Sequence, residues 1–165
     1  MKIIKPPDFL SNLKSKHLLL DTCVFIDAFV SPTEFAKFFK ELKENDITIV
    51  SIDLVKVEFI RGSREIKVFQ EKRAYVDDII DAYLPITNDI FKNMQKLVEL
   101  FKEEGNTVSV VDLMLGGLLM KYPGNLMLLT RNINDFPTNI FTIRTFFNLF
   151  KRKSIQSYGI YYFVD

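Results

Sequence analysis

The chain has 165 residues, which is enough for one compact domain. Hydrophobic residues make up 48% of it and 16 residues are phenylalanine, a composition that excludes a disordered chain and allows a sizeable core. Lys and Arg number 22 against 21 Asp and Glu, so net charge identifies no partner and any nucleic-acid site must come from local clusters of charge. With one cysteine, no signal peptide and no apolar segment long enough to span a bilayer, we expect a cytoplasmic protein that does not contact the membrane.

The first part of the chain predicts a strand followed by a helix. Residues 1–16 are interpreted as a polar leader that contains two prolines. The run HLLLD, residues 17–21, is apolar without alternation and predicts a short buried strand. Ser31 precedes the segment PTEFAKFFKELKEN, which predicts a helix with its phenylalanines on one face.

The middle of the chain predicts a second strand and two further helices. The segment DITIVS predicts the strand, and Ser51 is expected to cap the helix IDLVKVEFIRG, which ends at Gly62. The segment REIKVFQEKRAYVDDIIDAY then predicts a third helix.

The second half predicts two more helices and the remaining strands. Thr87 or Asn88 begins the helix DIFKNMQKLVELFKEEG, which is expected to stop at Gly105. The apolar segment SVVDLMLGGLLMKY predicts a buried helix whose glycines allow close packing against the sheet. Strands are predicted at NLMLLT and IFTI, with a turn at RNINDFP between them, and residues 146–165 form a C-terminal extension with a basic cluster and one further strand.

Strands that alternate with helices indicate an α/β fold, a three-layer helix–sheet–helix sandwich with a central, mostly parallel sheet. In such folds ligands bind beyond the carboxyl ends of the strands. Asp21 follows the first buried strand, and the segment TRNIND follows the strand NLMLL. The sequence therefore predicts a functional site at this edge of the sheet.

Four acidic residues stand apart from the surface charges because each interrupts an apolar context: Asp21, Glu58, Asp112 and Asp135. Clustered carboxylates repel one another and remain ionised only when cations neutralise them. Oxygen ligands of this kind favour Mg²⁺ or Mn²⁺, and a pair of such ions about 3.5–4 Å apart is a common device for phosphodiester cleavage. The only histidine is His17 and the only cysteine is Cys23, so neither a nucleophilic triad nor a zinc site is indicated.

Each acid also has a simpler structural explanation. Asp21 is placed to cap the turn after its strand, and Glu58 is spaced to pair with Arg61 on the helix surface. Asp112 is placed in a first helical turn, where the helix dipole favours an acid, and Asp135 is placed to form an Asx turn. Asp27 is expected to be a solvent-facing acid or an ion-pair partner rather than a ligand.

Four stretches in order resemble the PIN domain family, particularly the toxin ribonucleases of VapBC-type toxin–antitoxin pairs. They cover roughly residues 17–145 and read LLLDTCVFID, SIDLVKVEFIRGS, GNTVSVVDLMLGGLLMKY and NLMLLTRNINDFP. Each is similar to a family motif that carries one acid, and the order and the intervening secondary structure also agree.

This resemblance implies an endoribonuclease that hydrolyses RNA with Mg²⁺ or Mn²⁺. The metal site would comprise Asp21, Glu58, Asp112 and Asp135, with Thr130 and Asn132 as polar neighbours, and Asn132 would hold water or the scissile phosphate. Toxins of the family are inhibited by a small antitoxin protein and commonly form homodimers. The longer termini leave a stand-alone RNA-processing nuclease open as an alternative. A second alternative, of a different class, is a non-catalytic scaffold that binds RNA or protein.

Overall fold

The computed structural model describes residues 1–103 and 108–164. The strands are β1 (Lys2–Ile4), β2 (His17–Leu20), β3 (Thr48–Ser51), β4 (Ala82–Tyr83), β5 (Leu126–Thr130), β6 (Thr142–Phe150) and β7 (Ile155–Tyr162). The helices are α1 (Phe9–Leu13), α2 (Thr22–Val30), α3 (Pro32–Glu44), α4 (Asp53–Arg61), α5 (Ile66–Ile79), α6 (Asn88–Glu103) and α7 (Val110–Lys121), with a 3₁₀ turn at Ile133–Asp135. No helix in the described part of the chain has the length and hydropathy needed to cross a membrane.

One seven-stranded sheet contains all the strands, in the order β1-β6-β7-β5-β2-β3-β4. Strands β4, β3, β2, β5 and β6 run in one direction, and β7 and β1 run in the other. The predicted three-layer α/β sandwich with a mostly parallel sheet is therefore confirmed.

The path of the chain places a topological switch point between β2 and β5. The chain steps outward from β2 to β3 and β4, and then returns across the sheet to β5 on the other side of β2. Right-handed crossovers place α2 to α5, which contact one another, on one face and the α6–α7 pair on the other. The carboxyl ends of β2 and β5 meet where Leu20 pairs with Leu129, and a crevice forms at such a position.

The N-terminal segment differs from the expected polar leader. Residues Lys2 to Ile4 pair with β6 at the edge of the sheet, and Phe9 and Leu13 of α1 are fully buried. Phe9 packs edge-on against Phe147 of β6 with their ring centroids 5.9 Å apart. The hydrophobic pair at the i and i+4 positions of α1 explains why this segment joins the core.

The helices after β2 and β3 follow the prediction, with one correction. Helix α3 buries the predicted apolar face, and α4 ends at Gly62 as expected. Ser51 does not cap α4, because it is the last residue of β3 and Ile52 occupies the N-cap position. The Ser51 hydroxyl is buried and has no hydrogen-bond partner among the described residues.

Helices α6 and α7 pack closely on each other through glycine. A Cβ at Gly117 would lie 3.0 Å from the carbonyl oxygen of Ile90, and one at Gly116 would lie 2.8 Å from Leu97. The two glycines therefore allow a helix to approach a helix, whereas the sequence predicted an approach to the sheet. Helix α6 begins at Asn88 as predicted, and its expected stop at Gly105 lies outside the described residues.

The C-terminal strands form an antiparallel hairpin. The strand predicted at IFTI begins at Thr142 and continues to Phe150 as β6, and the further strand of the tail is β7. Strand β7 lies between β5 and β6 and is antiparallel to both. The basic residues Lys151 to Lys153 form the turn of this hairpin, and the Lys151 amide donates to the Ser154 carbonyl at 2.8 Å.

Candidate functional site

Asp21 directly follows the last residue of β2 at the switch point. Its amide donates to the Leu129 carbonyl at 3.2 Å, and the residue is only 5% exposed. One carboxylate oxygen, Oδ2, accepts hydrogen bonds from Thr130 Oγ1 at 2.6 Å and from Cys23 Sγ at 3.0 Å. Asp21 occupies the N-cap position of α2, but its side chain makes no capping hydrogen bond, so the capping interpretation is wrong.

Glu58 faces Asp21 from the neighbouring helix α4. Its carboxylate accepts a hydrogen bond from the hydroxyl of Thr22, the residue after Asp21. No ion pair joins Glu58 to Arg61, although both are described, and Lys56 instead pairs with Asp77 of α5. The alternative of a surface salt bridge for Glu58 is therefore wrong.

Asp112 lies in the first turn of α7, where Ser109 caps the helix. The Ser109 hydroxyl accepts from the Asp112 amide at 3.2 Å and donates to the Asp112 carboxylate. The pKa of Asp112 is raised from 3.8 to about 6, mainly by burial and also by the charges of three neighbouring carboxylates, while the Ser109 hydrogen bond opposes the shift. Those neighbours are Asp21, Asp135 and Glu58. The charges of the other three predicted acids therefore all act on Asp112.

The segment after β5 carries the remaining predicted residues. The Asn132 amide donates to Thr130 Oγ1 at 2.9 Å, and the Asn132 side chain donates to the Asp135 carboxylate. Burial raises the pKa of Asp135, and the nearby charge of Asp21 adds to this effect while the Asn132 hydrogen bond opposes it. Thr130 therefore connects Asp21 to the turn that carries Asn132 and Asp135.

An open cleft of about 400 Å³ joins these elements. Four of the predicted residues line it, namely Asp21, Glu58, Asp112 and Asn132, together with Thr22, Cys23, Ile26, Arg61 and Gly62. Thr130 and Asp135 do not line the cleft but contact residues that do. Excess negative charge in a concave site favours the binding of cations.

The donor set fits a hard divalent cation by its chemistry, because it consists of carboxylate oxygens with hydroxyl and amide oxygens beside them. Each of the four carboxylates accepts a hydrogen bond from a neighbouring side chain. Within residues 1–103 and 108–164, no three Asp, Glu, His or Cys side chains are grouped so as to hold one ion directly. Direct binding of one ion by three or more of these acids would therefore require their side chains to move closer together.

Asp27 has a role that the sequence did not specify. Asp27 is 5% exposed, so the interpretation of a solvent-facing acid is wrong. The interpretation of an ion-pair partner is confirmed. Arg131 Nε lies 3.0 Å and Lys151 Nζ 3.5 Å from its carboxylate, and Tyr158 donates its hydroxyl at 2.8 Å. The apolar neighbours of Asp27 in VFIDAFV are the signal of burial, as they are for Asp112.

Cys23 lies beside the carboxylates but is unsuited to nucleophilic attack. Burial, and then the negative charge of Asp21, raises the pKa of the thiol to about 12. The thiol is therefore protonated at neutral pH and donates to Asp21.

Comparison with known proteins identifies the family. No curated protein and no solved structure matches the chain significantly. The model of the PIN domain matches residues 18–132, a range that includes the cleft residues and ends three residues before Asp135. Because this match covers more than half of the chain and the α/β fold agrees with it, the chain belongs to the PIN domain family.

Proposed function

We propose that this protein is a metal-dependent endoribonuclease that hydrolyses phosphodiester bonds in RNA. The observation that supports the proposal is the group of four acids around the switch point, where burial, together with the charges of the other three acids, raises the pKa of Asp112. PIN domains are typically metal-dependent nucleases. A protein without such a function would have no reason to retain mutually repelling, partly buried carboxylates.

The residues of the cleft divide the proposed work between them. Asp21, Glu58, Asp112 and Asp135 would hold Mg²⁺ or Mn²⁺, which when bound supplies an activated water and stabilises charge on the scissile phosphate. Thr130 orients Asp21 through its 2.6 Å hydrogen bond, and Thr22 orients Glu58.

Asn132 would act on the substrate side of the cleft. Its backbone N–H donates to the Thr130 hydroxyl, and its side-chain amide donates to the Asp135 carboxylate. The residue lines the cleft. A fixed amide in this position can donate to a non-bridging phosphate oxygen or hold a water molecule.

The test compares Asp112→Asn with a matched Asp77→Asn control on a mixed RNA substrate. Asp77 is an exposed acid of α5 that pairs with Lys56 and does not line the cleft. Cleavage should require Mg²⁺ or Mn²⁺ and stop in EDTA. The cleavage rate of the Asp112 variant should be at least about a hundredfold lower than that of the parent, whereas the control should cleave at the parent's rate.

A second readout does not depend on activity. An ion that binds only the folded protein raises its melting temperature, so Mn²⁺ should stabilise the parent and the control more than the Asp112 variant. If neither cleavage nor metal-dependent stabilisation occurs in the parent, the proposal is wrong. RNA binding without cleavage would then favour the scaffold alternative.

We propose further that the nuclease is the toxin of a toxin–antitoxin pair that acts on RNA in the cytoplasm, forms a homodimer and is inhibited by a small antitoxin. The support for this finer statement is the resemblance of four sequence stretches to VapBC-type toxins. Induced expression should arrest growth, and co-expression of a small protein encoded beside it should restore growth. If growth is unaffected while the purified protein cleaves RNA, the stand-alone RNA-processing alternative is correct.

A further inference from the structure

The β6–β7 hairpin projects past the edge of the sheet that carries the acids. Thr130, the last residue of β5, pairs with Gly159 of the antiparallel strand β7. Strand β7 begins at Ile155, so the residues before Gly159 extend beyond the carboxyl end of β5 by about 14 Å at 3.4 Å per residue. The turn between the two strands therefore lies at the same edge of the sheet as the cleft, beyond the carboxyl end of β5.

The base of this turn is attached to the site through Asp27. Lys151, the first residue of the turn, lies 3.5 Å from the Asp27 carboxylate, and Arg131 lies 3.0 Å from the same carboxylate. Arg131 stands in the chain between Thr130 and Asn132. The hairpin and the segment after β5 are thus held together by one buried acid.

The turn carries positive charge that nothing nearby neutralises. Arg152 and Lys153 are exposed, and within the described part of the chain neither forms an ion pair. Lys2 is also exposed, and it reaches the same end of the sheet because it pairs with Phe150. Asp27 is already shared by Arg131 and Lys151, so the region has an excess of cations facing solvent.

The sheet behind the turn presents an aromatic ring to solvent. Phe147 is fully buried and stacks on Tyr158, whereas its neighbour Phe146 points to the other face and is 51% exposed. Phe146 pairs across the strands with Gly159, which has no side chain to cover it. It lies two strands from Thr130, about 10 Å at the usual strand spacing.

We propose that the β6–β7 hairpin is an RNA-binding arm for the strand that enters the cleft. Arg152 and Lys153 contact phosphates, and Phe146 stacks on a base of a single-stranded RNA. The inference rests on the proposed function for its choice of RNA. It concerns a part of the chain outside the residues 18–132 that match the family.

Binding of a fluorescent single-stranded RNA of about 20 nucleotides, measured by anisotropy in EDTA, tests the arm independently of cleavage. The titration is repeated at salt concentrations from roughly 50 to 300 mM. The paired variant Arg152→Ala/Lys153→Ala should reduce the slope of log Kd against log salt by about 1.4, about 0.7 for each lost phosphate contact. Phe146→Ala should weaken binding about fivefold or more and leave the slope unchanged.

The control variant removes the same number of positive charges as the turn variant, but at the opposite edge of the sheet. Lys14 lies before the amino end of β2 and Lys92 lies near the start of α6, and both are exposed. Lys14→Ala/Lys92→Ala should leave the affinity and the slope unchanged. If the alanine pair in the turn lowers the melting temperature, Arg152→Gln/Lys153→Gln removes the charges while keeping longer side chains and should show the same loss of slope.

The outcomes separate this inference from the proposed function. Equal slopes for the turn variant and the control, or no RNA binding by the parent protein, would overturn the arm even if the parent cleaves RNA. The basic turn would then be assigned to an acidic protein partner. If the turn variant has a reduced slope relative to the parent, and the parent does not cleave RNA, the arm is supported and the proposed nuclease activity is overturned.

Discussion

Replacement of Asp112 by Asn is expected to stabilise the metal-free protein at neutral pH. Burial raises the pKa of Asp112 from 3.8 to about 6, so the folded state disfavours the ionised carboxylate. The gap between these values corresponds to about 3 kcal/mol, and solvent screening of the partly exposed side chain reduces it to about 1–2 kcal/mol. An amide has no charge to desolvate, and its oxygen can still accept the hydrogen bond from Ser109.

The stabilisation should depend on pH with a defined sign. Below about 3.8, Asp112 is protonated in both the folded and the unfolded chain, so its burial adds no charge penalty. The penalty grows as pH rises towards 6 and is complete above it, where the folded carboxyl group is also ionised. Thermal unfolding in EDTA should therefore give similar melting temperatures for parent and variant near pH 4, and a value about 4 °C higher for the variant at pH 8.

Asp77→Asn is the control with the opposite expected sign. The hydrogen bond from Lys56 lowers the pKa of Asp77, so its charge favours the folded state above the unfolded pKa, and this contribution is lost as pH falls. Removal of the Asp77 charge should lower the free energy of unfolding by at most about 1 kcal/mol at pH 8, because the ion pair is on the surface. A lower melting temperature for Asp112→Asn at pH 8, or the same difference at both pH values, would refute the electrostatic account of the site.

Three further predictions concern packing, a buried acid and a thiol. Gly117→Ala should destabilise the protein by about 1–3 kcal/mol in urea unfolding, since its Cβ would lie 3.0 Å from a backbone oxygen of α6; Gly62→Ala, with no atom within 4 Å, should be nearly neutral. Tyr158→Phe removes the hydroxyl that donates to Asp27 and should cost about 1–2 kcal/mol, so an unchanged urea midpoint would contradict the role given to this bond. Cys23 should react with iodoacetamide at pH 8 at least about a hundredfold more slowly than a free thiol, and urea should restore the ordinary rate.

The parallel part of the fold could be predicted because its signals are local. Each of β2, β3 and β5 is a short apolar run, and the helices between them have clear apolar faces and glycine or proline boundaries. The alternation of these elements is sufficient to place the carboxyl ends of β2 and β5 at the same edge of the sheet. The expectation that Asp21 and the segment after β5 share one sheet edge depended only on this alternation.

The antiparallel part depended on contacts that are distant in the chain. Nothing in the tail specifies that β7 inserts between β5 and β6, because that register is set by pairing over about 30 residues. The partners of Asp27 lie more than 100 positions away, at Arg131, Lys151 and Tyr158. A buried charge in an apolar helix could be recognised from the sequence, but its partners could not.

Ser51 shows a local rule that was overridden. A serine before an apolar helical pattern is a strong capping signal, yet the pairing of β3 with β4 extends to this residue. The strand thereby takes the position that a cap would need, and the helix begins two residues later.

The pairing of β1 with β6 has a consequence for biosynthesis. Residues 2–4 are translated long before their partners at 148–150. At about 5 to 20 residues per second, the first strand waits roughly 7 to 30 s for its neighbour. During that time α1 has no Phe147 to pack against, and Asp27 lacks Lys151 and Tyr158. The nascent chain therefore completes this edge of its sheet, and the support behind its acidic cleft, only after the β6–β7 hairpin has been made.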